Sequence, residues 1–260
     1  MFEVNKNQFV RLQNNDWLTK QRIAGKITAD TLTLLKNLVL EKTSKSLIEL
    51  DKVAEDYIIS NNCIPTFKGY HGFPNSVCIS VNKTLVHGIC TDYVLQDGDV
   101  VSFDLGATFE EGIADSALTC IFGEPKSQQH IDLVQTTKEC LTKAIEVIEV
   151  GKHLGCIGNA IYKYAKSKGF SVVDKFGGHG INPGQVHAEP FVSNRADKNE
   201  GIRIQPGLTI AIEPLLVIGS SNKTTLADDG WTINAMNICA HEEHSLYIHE
   251  DHVEIISIRN

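Results

Sequence analysis

The chain has 260 residues, an apolar fraction of 42%, a charged fraction of 22% and a formal net charge of −8. These are the proportions of an ordinary globular protein with enough core for one large mixed domain or two small ones. No run of Lys and Arg marks a nucleic-acid footprint, no apolar stretch has the length a bilayer requires, and the mixed N-terminal residues lack the apolar centre of a signal peptide. Seven cysteines, an odd number without a C-x-x-C pair, read as reduced thiols. The sequence therefore predicts a cytoplasmic protein that neither enters a membrane nor reads nucleic acid.

In chain order, near-helical spacing of Ile23, Ile27, Leu32, Leu35 and Leu38 predicts a helix from Trp17 to Lys42. Thr43-Ser44 ends it, and Ser46 caps a second helix through Ile59, with Leu50 and Val53 on one stripe. A loop rich in Gly, Pro and aromatics follows. Ser76 to Val81 reads as a strand, Asn82-Lys83 as a turn, and Leu85 to Gly88 as the returning strand carrying His87. After the turn signal Asp97-Gly98 comes a β-rich stretch, Val100 to Phe122. Helices are predicted over Gln129 to Val150, stopped by Gly151, and over Leu154 to Lys168. Ser171 to Phe176 reads as a strand running into a glycine-rich loop, GGHGINPGQVHAEP. The remainder alternates β-rich runs at Leu208 to Ile218, Trp231 to Ala240, Ser245 to Ile248 and Val253 to Ile258. No stretch has linker composition, so residues 1–260 are expected to form a single catalytic domain.

A faint internal repeat runs through this order. Leu47 opens a helix leading to Phe67 and the His71-Gly72 loop, and Leu154 opens another leading to Phe176 and the His179-Gly180 loop. Two such halves predict an α/β (α+β) domain with pseudo-two-fold symmetry, helices covering one face of a curved antiparallel sheet.

The β-rich stretch VVSFDLGATFEEGIADSALTCIF breaks at Glu110-Glu111-Gly112. Taken as a hairpin with a four-residue loop, Thr108 to Glu111, it sets Asp104 directly opposite Asp115, β-carbons about 5 Å apart. Two ionised carboxylates that close repel unless a proton or a cation lies between them. The pair fits a metal site or a shared-proton dyad; the bland alternative is a surface aspartate. Three further candidates accompany it: His187 in VHAEP, Glu213 in the apolar run LTIAIEPLLVIG, and Glu243 in AHEEHS. Glu213 is the least ordinary, because an ionised Glu in a buried apolar strand is costly unless paired or metal-bound. One histidine and four carboxylates without cysteine suit Co, Mn, Fe(II) or Zn in a two-metal site. Such a site activates water and polarises a carbonyl, and its natural reaction is hydrolysis of an amide or ester.

The ordered segments YHGFPNSVCISVN, LVHGI, VVSFDLGATFEEGIADSA, GGHGINPG, HAEP, AIEP, DGWT and Glu243-His244-Ser245 resemble type I methionine aminopeptidases along nearly the whole chain. The resemblance implies the pita-bread (creatinase/aminopeptidase) fold and removal of the initiator Met from nascent polypeptides, with small second residues preferred. It implies two divalent metal ions held by Asp104, Asp115, His187, Glu213 and Glu243, with Asp115 and Glu243 shared. Glu213 is expected as general base toward a bridging water, and His87 at the scissile amide. Tyr70, Phe73, Cys78 and Trp231 match positions around a methionine pocket, and aromatic walls with a thiol suit a thioether. His71 and His179, flanked by glycines, read as loop or supporting residues. A monomer that meets its substrate at the ribosome is the family's habit.

Three departures accompany the match. The resemblance implies a second histidine, contacting the substrate carbonyl, seven positions after the histidine of the HAEP segment, His187; that position is Asn194 here. On this reading Asn194 is a weaker hydrogen-bond donor to the substrate, and turnover is low. The usual GHGIGR is GHGINP, with one extra residue before His187, and AHEEHS is more polar than is usual. Phe67 stands where a smaller residue is common, which narrows the pocket. Two rival readings are an Xaa-Pro peptidase on the same scaffold and a catalytically weak binding module. The methionine-pocket match and the single-domain length count against the first, the full ligand set against the second.

Overall fold

The computed structural model describes residues 2–5, 8–43 and 45–259. The elements in order are β1 (Phe2–Asn5), β2 (Gln8–Val10), α1 (Asn15–Leu40), α2 (Leu47–Ser60), β3 (Ile64–Pro65), β4 (Cys78–Val81) and β5 (Thr84–Val86). Then come β6 (Val100–Phe109), β7 (Gly112–Ile121), α3 (Gln128–Glu146), α4 (Gly155–Ser167), β8 (Ser171–Val172), β9 (Gly177–Asn182) and β10 (Gln185–Ser193). The last are β11 (Thr209–Ile212), β12 (Leu215–Val217), β13 (Thr224–Leu226), β14 (Ile233–Ala235), β15 (Cys239–His241), β16 (His244–Ile248) and β17 (Val253–Ile255). Among the described residues no helix is long and apolar enough to cross a membrane.

The helices begin where their caps dictate. Asn14 accepts from the Trp17 N–H at the start of α1, and Ser46 with Glu49 forms a reciprocal capping box on α2. Of the predicted α1 stripe, Ile27, Leu32 and Leu35 are buried and Leu38 half-buried, but Ile23 is 40% exposed. In α2, Leu50 is buried and Val53 lies half-buried at the stripe's edge. The predicted break at Thr43-Ser44 falls partly on Ser44, which lies outside the described residues. Helix α3 stops at Glu146, well before Gly151. The intervening backbone is diverted, with Gly151 N–H bonded to the Ile204 carbonyl and Ile204 N–H to that of Lys152.

Two pseudo-equivalent halves result, each with two helices over antiparallel strands. In the first, Leu32 and Leu35 of α1 and Leu50 and Ile58 of α2 pack with Val101, Phe103 and Leu105 of β6. In the second, Leu133 and Leu141 of α3 and Ile157 and Ile161 of α4 pack with Ile210, Ile212, Leu216 and Leu246. Burial of side chains of this size, about 1.5–3 kcal/mol each, is what holds helices on sheet in both halves.

The hairpin register differs from the expected one. Strands β6 and β7 pair through Phe109↔Gly112, leaving only Glu110-Glu111 in the turn. Glu110 adopts φ 51°, the left-handed conformation a two-residue turn requires. Helix α1 crosses directly above, so a Cβ on Gly112 would lie 2.4 Å from the backbone of Lys20 and Gln21. The ladder is therefore longer than predicted. Asp115 faces Gly106 and Asp104 faces Ala117, so the two aspartates are diagonal neighbours on one face.

The glycine-rich GGHGINPGQVHAEP is a hairpin, not a loop. Strand β9 pairs with β10 on one side and with β11 on the other, inside a five-stranded sheet of order β10-β9-β11-β16-β17. Its glycines serve close approach of backbones: a Cβ on Gly178 would sit 2.1 Å from the Ala211 carbonyl oxygen, and one on Gly180 2.0 Å from that of Glu189. The predicted strand Ser171 to Phe176 shrinks to Ser171–Val172. The run Leu208 to Ile218 divides at Glu213-Pro214, where proline has no N–H to offer the ladder. The run Trp231 to Ala240 likewise divides, into β14 and β15.

Candidate metal centre

Strands β11 and β16 pair with Ile212 opposite His244, and β12 and β15 with Leu215 opposite His241, in one continuous register. Glu213 and Glu243 fall opposite one another at the break between these ladders. The β6/β7 hairpin is bonded across them: Glu243 N–H donates to the Ala117 carbonyl (2.9 Å) and Ser116 Oγ to the Glu243 carbonyl (2.6 Å). Asp115 N–H donates to Ser245 Oγ (2.8 Å), which donates back to the Asp115 carbonyl (2.7 Å). Two halves thus deliver an aspartate pair and a glutamate pair to one place.

His179, on β9, completes the cluster. Its Nε2 lies 3.7 Å from Asp115 Oδ2, 3.9 Å from Glu213 Oε1 and 4.0 Å from Glu243 Oε1. Its Nδ1 is 3.1 Å from the Gly180 carbonyl, which only an N–H can approach favourably. That hydrogen bond leaves the Nε2 lone pair aimed at the carboxylates, the usual arrangement of a metal-binding imidazole. His187, expected in this place, is exposed at the rim, with its ring centroid 4.5 Å from that of His179 and 5.3 Å from that of Tyr70. The structure brings His179 rather than His187 within 4.0 Å of the carboxylates, because the glycines around His179 belong to a packed central strand and not to a loop.

Asn194 is correspondingly not at the substrate side. It is 1% exposed, lines neither cavity described below, and donates from Nδ2 to the carbonyls of Glu213 (2.9 Å), Phe176 (3.3 Å) and Val173 (3.4 Å). It supports the Glu213 backbone from behind. His71 is exposed at φ 48°, its ring edge-on to Tyr70, and belongs to none of the groups of convergent ligand atoms.

Burial and mutual repulsion dominate the electrostatics. Burial, then Asp115 and Glu213, raises the Asp104 carboxyl well above the usual range; burial, then the neighbouring aspartates and Glu213, does the same to Glu243. Burial pushes Asp115 up to about 7, and burial with the Asp115 charge pushes Glu213 up to about 8. His179 is pressed down to about 4 and His241 to about 3, both chiefly by burial. Asp104 Oδ1, Asp115 Oδ1, Glu243 Oε1 and His241 Nε2 are buried with no hydrogen-bond partner among the described residues. Orphaned carboxylate oxygens converging around a neutral imidazole are the chemistry of a site for hard divalent cations. Asp104, Asp115 and Glu243 form one group of ligand atoms in mutual reach, His179, Glu213 and Glu243 a second, and Asp115, His179 and His187 a third.

Behind Glu243 lies a buried ion pair. Glu242 points away from the cluster, accepts from Thr119 N–H (3.0 Å) and pairs with Arg259 (3.0 Å). Arg259 also donates to Ser116 Oγ (2.6 Å) and the Glu243 carbonyl (3.1 Å).

Two cavities open on the carboxylates. One, of about 300 Å³, includes His87, His179, His187, Glu213 and Phe191 in its wall. The other, of about 170 Å³, is enclosed by Phe67, Tyr70, Phe73, Cys78 and Trp231, with Asp104, His87 and His187 at its mouth. Phe73 and Trp231 meet edge to face, 5.2 Å between centroids, and Cys78 is paired with Asp104 across β4 and β6. His87 lies just past β5 at φ 57°, and this conformation turns it to the junction of both cavities, where burial lowers its basicity.

Residues 19–250 match the sequence profile of metallopeptidase family M24. The methionine aminopeptidase of Mycoplasma capricolum is 40% identical over 250 residues, 95% of this chain and 98% of that protein. Methionine aminopeptidase 1 of Bacillus subtilis is 40% identical over 238 residues, 91% of this chain and 94% of that one. The crystal structure of the Thermotoga maritima methionine aminopeptidase superposes with a TM-score of 0.92 at 31% identity, over 97% of this chain and 100% of that chain. Prolidase from Pyrococcus furiosus, 18% identical with a TM-score of 0.75 over 96% of this chain and 66% of that chain, shares the fold alone. The fold is the pita-bread fold, and the chain belongs to metallopeptidase family M24, in the branch of the methionine aminopeptidases.

Proposed function

We propose that this enzyme removes the initiator Met from polypeptides whose second residue is small, using two divalent cations held by Asp104, Asp115, His179, Glu213 and Glu243. The observation that carries the reading is the junction of the carboxylate cluster with an apolar cavity of about 170 Å³, walled by aromatics and Cys78. That volume and lining suit one unbranched thioether side chain. Asp115, Glu243 and His179 each belong to two groups of convergent ligand atoms; of these only the carboxylates, with two oxygens each, could be shared between two cations, since the imidazole offers a single lone pair. Bound cations polarise the scissile carbonyl and make water nucleophilic at neutral pH.

The chain's own groups do the rest. Tyr70, Phe73 and Trp231 seat the thioether and exclude water from it. Glu213 borders the larger cavity and accepts the proton of the attacking water on its carboxylate. His87, neutral at the junction of the cavities, hydrogen-bonds the scissile amide. His187, at the rim, hydrogen-bonds the substrate carbonyl, the role first assigned to Asn194. The test is hydrolysis of Met-Ala-Ser and Ala-Pro peptides by chelated enzyme, with and without Mn, Co, Fe(II) or Zn. Metal-restored release of Met is expected. Cleavage of Ala-Pro alone would move the protein to an Xaa-Pro activity.

A further inference from the structure

Each of the paired glutamates presents one oxygen to His179 and the other to a second imidazole. Oε1 of Glu213 and Oε1 of Glu243 lie 3.9 and 4.0 Å from His179 Nε2, while their Oε2 atoms lie 3.7 and 3.8 Å from His241 Nε2. His241 is 2% exposed, and its Nε2 has no hydrogen-bond partner among the described residues. It belongs to none of the three convergent ligand groups and to neither cavity wall, so it stands behind the glutamates rather than among the ligands. Its backbone is fixed: Thr119 Oγ1 accepts from the His241 N–H (2.9 Å) and donates to the His241 carbonyl (2.6 Å). The register that sets His241 opposite Leu215 lets its ring reach over the ladder break to Glu213.

We infer that His241 is a positioning residue of the metal centre: its Nε2–H is donated to the outer oxygens of Glu213 and Glu243 and turns their inner oxygens toward a shared cation. The inference rests on the metal centre proposed above. A bare lone pair facing two carboxylate oxygens would be repelled, whereas an N–H is attracted to both. The present separations exceed hydrogen-bond length, about 2.7–3.2 Å for N–H···O. A small rotation of the imidazole or of the carboxylates would bring them into that range. Groups that orient ligands from behind in this way are worth about 10–100-fold in metal affinity.

The experiment is calorimetric titration of Mn(II) into chelated wild type, His241→Leu and His241→Gln. Leu removes the donor and Gln keeps one. We expect Leu to lose about 10–100-fold in affinity at one of the sites, and Gln to stay close to wild type. Equal affinity in the Leu variant, or equal loss in both, overturns the inference. Long-range 15N NMR of Zn(II)-loaded wild type is independent of whether either variant folds. An Nε2–H tautomer for His241 supports the inference; an Nδ1–H tautomer overturns it. Wild type that binds no divalent metal would overturn the centre itself, which separates that failure from one confined to His241.

Discussion

The two halves bring acidic pairs to the same point by different means. In the first half the ladder is unbroken, and Asp104 and Asp115 reach across a regular hairpin as diagonal neighbours. In the second the ladder is interrupted at Pro214, and the longer Glu213 and Glu243 face one another at the gap. The histidine loops diverge further: His179 became a central strand residue aimed at the carboxylates, while His71 stayed on the surface. A repeated order of elements therefore fixes where the halves meet, not which side chains they contribute.

The sharpest way to break this comparison is to exchange equivalents. His179→Ala should abolish tight metal binding and activity, and His71→Ala should change stability by less than about 0.5 kcal/mol, as exposed sites do. Metal titration and peptide hydrolysis check both; equal losses in the two variants would show that the halves are used symmetrically. The shared ligands should behave like His179. Glu243→Ala is expected to reduce turnover by more than about 100-fold, beyond what loss of a group behind the ligands costs.

Next in size is the support beneath the second half. Arg259→Met leaves Glu242 buried and uncompensated, and should lower stability by about 3–5 kcal/mol in urea denaturation. Asn194→Ala removes three donations to backbone carbonyls, including that of Glu213, and should cost about 1–3 kcal/mol. A rise in turnover for Asn194→His with stability unchanged would restore the substrate-facing role and contradict its burial.

A smaller effect is expected from pH. Asp115 and Glu213 are raised to about 7 and about 8, so the metal-free folded chain holds protons that the unfolded chain releases. Their stabilisation is complete at low pH and lost as pH rises through those values. His179, His241 and His244, held down at about 4, 3 and 3, act oppositely below about pH 6.5. The carboxylate effect is therefore isolated between about pH 6.5 and 8. Across that window the metal-free protein should lose stability while its affinity for divalent cations rises, since fewer protons need displacing. Denaturation midpoints of chelated protein and Mn(II) titrations at the two ends of the window check this. A flat metal-affinity profile would place the cation away from Asp115 and Glu213.

Much was readable in the chain itself. The cap at Ser46 and most of the helix stripes follow from local pattern, because capping and periodicity are properties of neighbouring residues; the carboxylates stood out by their cost of burial, and the aromatic pocket residues came only through the family resemblance. The hairpin register was not, because it depends on α1 crossing the turn above Gly112. Nor was the choice between His179 and His187. In isolation a run of glycines looks like a loop; it becomes a strand only when Ala211 and Glu189 bring their backbones close enough to exclude any side chain. Asn194 and His241 have meaning only once the ladder break between β11 and β12 places a glutamate beside each. Sequence determined which groups would be costly to bury; tertiary packing decided which of them face one another, because that depends on contacts between residues far apart in the chain.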